Sequence, residues 1–255
     1  MSRLFVVIAT LSSASALSMP AFAQLNEGPP MPSGMDLAKV PVGSWAEYAV
    51  GIGDMPNMKT RMALVGRSKG EATVEMVVEG GMMAAAGGKM IMQTVMMVDG
   101  ASGAAGEVKK LVIQVGPNDP MEMPAALAQR KQFQKPDPKA LLKEETIKVA
   151  AGTFKAKHYR DTTPKGDVLD YWLSDKVPPL GLVKVVGEQK GGVAGQKGPV
   201  TFELASFGKD ARTALLKPAK PFDQQAFMGQ MMGAAGAAAG AKGPAGAPPP
   251  AAPTK

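Results

Sequence analysis

The chain has 255 residues, with 29 basic and 22 acidic side chains, one histidine and no cysteine, for a formal net charge of +7. The lack of cysteine excludes disulfides, thiol catalysis, thiolate-held zinc, iron–sulfur clusters and a lipid-modified N-terminal cysteine. A single histidine excludes a histidine-rich metal site and leaves any imidazole catalysis to His158.

The first segment reads as an address. Arg3 supplies the positive start, Leu4 to Leu11 a short apolar run, and Ala21-Phe22-Ala23 a small-residue cleavage site before Gln24. This predicts a signal peptide over 1–23 and export to the periplasm or beyond. No later stretch reaches the ~18 consecutive apolar residues of a membrane span. Residues 24–36 hold Pro29-Pro30, Pro32 and Gly34 and read as a linker. Residues 37–216 form one β-rich domain.

Within that domain, alternation of apolar and polar residues predicts antiparallel strands. Trp45 to Val50 opens the sheet. Lys59 to Val65 and Glu71 to Glu79 alternate cleanly, with Gly66 to Gly70 read as a five-residue hairpin loop. Symmetric pairing places Arg61 opposite Glu75 on an exposed face and Met62 opposite Val74 on a dry one. Lys89 to Val98 is apolar on both faces, as in a strand covered on both sides. Val108 to Val115 continues the meander. Pro124 to Phe133 carries strong helix formers, and Asp137-Pro138 caps a second short helix over 138–143.

Strands then return at Glu145 to Val149 and Phe154 to Arg160, around a turn over 150–153. Val168 to Ser174, Leu182 to Gly187 and Val200 to Phe207 complete the sheet. The expected class is α+β: a curved antiparallel half-barrel of about nine or ten strands, with two short helices over its concave face. Residues 217–255 form an Ala/Gly/Pro-rich tail. Twenty of its last twenty-four residues are Ala, Gly or Pro, too few packing side chains to offset the entropy of ordering. Asp223 to Met232 is the one short helix the tail offers, carrying Phe227 and Met228.

A resemblance appears in the late strands. Ile147-x-Val149-x-Ala151-Gly152-Thr153-Phe154-x-Ala156 is followed by Tyr171-Trp172-Leu173-Ser174, by Pro178-Pro179-Leu180-Gly181-Leu182-Val183-Lys184 and by Phe202-Glu203-Leu204. Together these resemble a group of exported proteins similar to the lipoprotein-localisation (LolA/LolB-like) half-barrel superfamily. The resemblance covers 145–206 best. It implies an unclosed, strongly curved sheet with helices over an apolar concave face, and carriage of acyl chains or lipoproteins. The chain departs from it in its nineteen methionines, its Gly-rich segment at 191–198 and its tail. No residue maps onto a lipoprotein-handover site.

Signals for catalysis are weak. His158 has only Asp161 as an acidic neighbour and no serine in a nucleophile-elbow context, and reads as a strand histidine bonded to backbone or solvent. Glu144-Glu145 and Asp167/Asp170 do not make working carboxylate pairs, since residues three apart in a strand face opposite ways. No HExxH motif, Walker loop or dinucleotide fingerprint occurs. The scattered lysines lack interleaved aromatics, which with the export signal argues against nucleic acid. The expectation is therefore a non-enzymatic protein without cofactor. It would bind an apolar ligand, a lipid or acyl chain, or an envelope partner, in a cavity lined by Trp45, Met62, Met90, Met92 and Trp172. Two alternatives stand beside it: a Met-rich Cu(I)-binding protein, since thioethers are soft ligands, and a purely structural envelope protein.

Overall fold

The computed structural model describes residues 31–53, 57–81, 88–124, 133–162, 166–189 and 198–230. The expected signal peptide, most of the expected helix over 124–133 and the far tail lie outside the described residues. Two meanders make up most of the chain. The first comprises β2 (Trp45–Ile52), β3 (Met58–Ser68), β4 (Glu71–Gly80), β5 (Lys89–Val98), β6 (Ala105–Val115) and β7 (Met121–Glu122). The second comprises β9 (Leu141–Val149), β10 (Gly152–Thr162), β11 (Val168–Leu173), β12 (Leu182–Gln189) and β13 (Gly198–Gly208). They join where β13 pairs antiparallel with β2, and β14 (Lys220–Pro221) adds a parallel edge to β7. The result is an open, mixed sheet of twelve strands in the order β14-β7-β6-β5-β4-β3-β2-β13-β12-β11-β10-β9. Away from it, β1 (Met31–Pro32) pairs in parallel with β8 (Phe133–Gln134).

This overturns the α+β half-barrel with two covering helices: the protein is mostly sheet. The expected helix at 138–143 shows why. Asp137 does cap a turn, its carboxylate accepting from the Lys139 amide at 2.8 Å, but the turn is a three-residue 3-10 element, Pro138–Ala140. Leu141-Leu142, read as the end of that helix, instead begin β9, where Leu141 pairs with Tyr159. A ladder partner has overridden local helix propensity.

The β3–β4 hairpin also differs from expectation. Its loop is the two-residue turn Lys69-Gly70, with φ of +46° and +81°, the left-handed pair that tight hairpins require. A bulge between Leu64 and Gly66 then resets the register, so Arg61 faces Val77, Met62 faces Met76, and Ala63 faces Glu75. Arg61 and Glu75 are on paired strands and on the same face, but they are not opposite each other.

The ladder registers define two faces. The inner one carries Tyr48, Val50, Met62, Leu64, Val74, Met96, Leu111 and Leu204, all buried. Two coil segments and one short helix cover it, in place of the two helices expected. Leu37 and Val40 from one segment, Val177 and Leu180 from another, and Phe227 from the helix over 224–230 join the same apolar cluster. The first segment is pinned by Arg67, whose guanidinium donates to the Leu37 and Val40 carbonyls, and by the Gly34 amide donating to Leu180 O at 2.8 Å.

The outer face is crossed by the C-terminal segment 209–221. Its Ala211 amide donates to Gly43 O at 2.9 Å, and its Asp210 accepts from Trp45 Nε1 at 2.6 Å. Gly43, at φ +90°, leaves no room for a Cβ, which would sit 2.7 Å from Lys209 O. Further along, Asp119 binds both Lys217 (2.6 Å) and Lys220 (2.7 Å). Beneath this strap Glu75 is only 3% exposed, although alternation had placed it on a wet face.

Candidate functional site: a methionine rung and two polar clusters

The β-ladder lines up thioethers on the inner face. Met62 on β3 is directly opposite Met76 on β4, Met76 opposite Met92 on β5, Met92 opposite Ile113 on β6, and Ile113 opposite Met121 on β7. Met90 and Met96 share that face of β5. Met62 and Met121 are buried at the flanks, while Met76 and Met92, with Met58 and Met90 beside them, are half-buried. Directly opposite residues sit with Cβ atoms roughly 4.5–5.5 Å apart, so the rung is a continuous strip of flexible, polarizable side chains.

The five residues expected to line one cavity divide between the faces. Met62, Met90 and Met92 are inner. Trp45 and Trp172 are outer, because Trp45 is opposite Ala63 and Trp172 opposite Lys184. Trp45 lies under the Arg61 guanidinium, 4.9 Å from its ring, a cation–π contact. The hydrogen bond from Trp45 holds the Asp210 carboxyl below its usual range.

Trp172 belongs to a cluster that sequence reasoning missed. His158 on β10 stacks against it at 4.2 Å, and the Trp172 indole donates to Glu145 Oε1 at 2.9 Å. His158 Nε2 lies 2.7 Å from Asp170 Oδ1, and Nδ1 lies 3.0 Å from Glu145 Oε1 without the alignment of a hydrogen bond. Arg160 grips Asp170 with two bonds, at 2.9 and 3.0 Å. Burial opposes ionisation of Asp170, yet the bonds from Arg160 and His158 outweigh it and hold the carboxyl low. Glu145 is held low by Trp172 first and then by Lys143. His158 is thus bonded to Asp170 through Nε2, while its buried Nδ1 lies near Glu145 but makes no hydrogen bond. Among the described residues no group of three His, Cys, Asp or Glu is arranged to hold a metal ion, and no helix is long and apolar enough to cross a membrane.

The chain matches no protein-family profile and no curated protein. Among solved structures it is similar to the hypothetical protein CT021 from Chlamydia trachomatis, with a TM-score of 0.36 and 10% identity over 74% of this chain and 96% of that one. A likeness that slight carries no argument, and no comparison links the chain to the lipoprotein-localisation superfamily.

Proposed function

We propose that the chain is an exported, non-enzymatic protein that binds an apolar ligand, an acyl chain, along the methionine rung. The observation that supports this is the half-burial of Met76 and Met92 between the buried Met62 and Met121. A fully packed core has no reason to leave its central side chains partly open, whereas an adaptable apolar strip suits a chain of variable shape. Covering about ten methylenes gains roughly 8 kcal/mol before ordering costs, which caps affinity near the micromolar range. The signal-like segment at 1–23 supports export, and the resemblance of 145–206 to lipoprotein-localisation proteins supports acyl chains as the ligand class.

The test is titration with a fluorescent fatty acid. Saturable binding, weakened at least about tenfold by Met92→Glu with the melting curve retained, supports the reading. Absence of binding up to about 100 µM, or indifference to Met92→Glu, overturns it. The direct pairing of Met62, Met76 and Met92 also favours a second reading, Cu(I) held by thioethers from adjacent strands. Native mass spectrometry separates the two: a copurifying lipid supports the first, a copper adduct the second, and a bare mass a structural role.

A further inference from the structure

The sheet ends on one side at β9, whose outer edge pairs with no strand among the described residues. No described residue donates to or accepts from the backbone of that edge. The β9–β10 hairpin closes at Val149 opposite Gly152, which makes 149, 147, 145 and 143 the residues whose amides and carbonyls point to β10. Those of Glu144, Thr146 and Lys148 therefore point outward. All three side chains are exposed, and Leu141 (40%) and Leu142 (51%) beside them are among the large apolar side chains most open to solvent. The edge strand is nine residues long, ample for a ladder.

The sequence of β9 is complementary to itself. We infer that β9 pairs antiparallel with β9 of a second copy of this chain, with Thr146 facing Thr146 across a two-fold axis. Only registers that match outward-pointing residues with one another can form hydrogen bonds, which excludes every odd shift. Centred on Thr146, the pairing sets Glu144 opposite Lys148 twice, joins Thr with Thr, and lays the exposed Leu142 on Ala150. Moving the centre one residue back to Glu145 brings two glutamates face to face. Moving it to Glu144 does the same. In the Thr146 register Glu144, already 3.4 Å from Lys155 of its own chain, gains a second cation. Lys148, which would repel an arbitrary basic strand, here restricts the edge to a partner with glutamate at the matching position. This inference is independent of the acyl-chain reading, because β9 and the methionine rung lie in different meanders.

Sedimentation of the full chain tests it. The wild type is expected to populate a dimer at tens of micromolar, on the order expected for one strand pair. Lys148→Glu, which sets Glu against Glu twice, should raise the dimer Kd about tenfold, and adding Glu144→Lys should restore it. Thr146→Pro removes an outward amide that β10 does not use, and should give a monomer with an unchanged melting curve. A wild type that stays monomeric at about 100 µM overturns the inference. So does a dimer indifferent to Lys148→Glu, or a double variant no tighter than the single one, which needs no proline variant to fold.

Discussion

Glu75 is the clasp that holds the C-terminal strap to the outer face. Its buried carboxylate accepts from Thr213 Oγ1 at 2.7 Å, from the Ala214 amide at 2.9 and 3.1 Å, and from Gln93 Nε2 at 3.3 Å. Hydrogen bonds to a charged group contribute about 1.5–3 kcal/mol each. Thr213 is exposed and can turn to water, and the Gln93 contact is long, so the Ala214 amide carries most of the effect. Glu75→Ala should therefore cost about 2–4 kcal/mol in urea unfolding, part of it from loosening the cover over buried Ile91 and Val112. Glu75→Gln keeps the shape and one acceptor and should lose about half as much. Hydrogen exchange at the Ala214 amide reports the clasp directly, and should accelerate in both variants. A double-mutant cycle with Thr213→Val should yield a coupling of about 1 kcal/mol. Stability within about 0.5 kcal/mol of wild type in Glu75→Ala, with Ala214 still protected, would refute the clasp.

Asp119 should set how acid releases the far end of the strap. Bonds from Lys217 and Lys220 depress its pKa to about 2, below the ordinary 3.8, so its contribution is fully present above pH 3.8 and is lost as pH falls through about 2. An NMR titration of its carboxyl should show that low midpoint, and a midpoint near 4 would mean the two lysines do not hold it in solution. Phe227, 2% exposed on a helix whose Asp223 accepts from the Ala226 amide at 3.0 Å, anchors the chain on the inner face. Phe227→Ala should cost about 3 kcal/mol in a thermal melt, whereas a loss under about 1 kcal/mol would mean that this helix merely rests on the surface.

Within a strand, which residues share a face was legible in the sequence; which residues meet across strands was not, and Trp45 and Trp172 fell on the face opposite Met62, Met90 and Met92. The β3–β4 pairing expected from a five-residue loop and the pairing found differ by a slip of two residues, since Arg61 meets Val77 in place of Glu75. The β9–β10 pairing, expected around a turn over 150–153, slips likewise, with Phe154 opposite Ile147. Strand alternation has a period of two, so a slip of two leaves every apolar residue on its face and the pattern cannot detect it. Only turn chemistry could: Lys69-Gly70 is a tight-turn pair, and the bulge that follows has no clear sequence mark. The same uncertainty hid the His158 cluster, whose partners Asp170 and Glu145 are distant in sequence. A signal was present, since His158 and Arg160 lie two apart on one strand and Asp170 and Trp172 two apart on the next. The strap was beyond pattern reading, because it is irregular backbone held by scattered polar contacts.

The junction of the two meanders has a consequence for the order of events as the polypeptide emerges. Strands β2 to β7 each bond to a neighbour in sequence and can assemble as soon as they are made, but the other side of β2 has no partner until β13 arrives. Gly208 must come back to Trp45, whose indole then packs so closely over it that a Cβ there would sit 2.7 Å from Nε1. Until then the amides and carbonyls on that side of β2 are a bare template for other nascent chains, in a half-made sheet with Tyr48 and Val50 uncovered. Closing so distant a pairing is slow. The hazard of aggregation is therefore concentrated in the interval between synthesis of β7 and docking of β13, and a holding chaperone would find its purchase along β2.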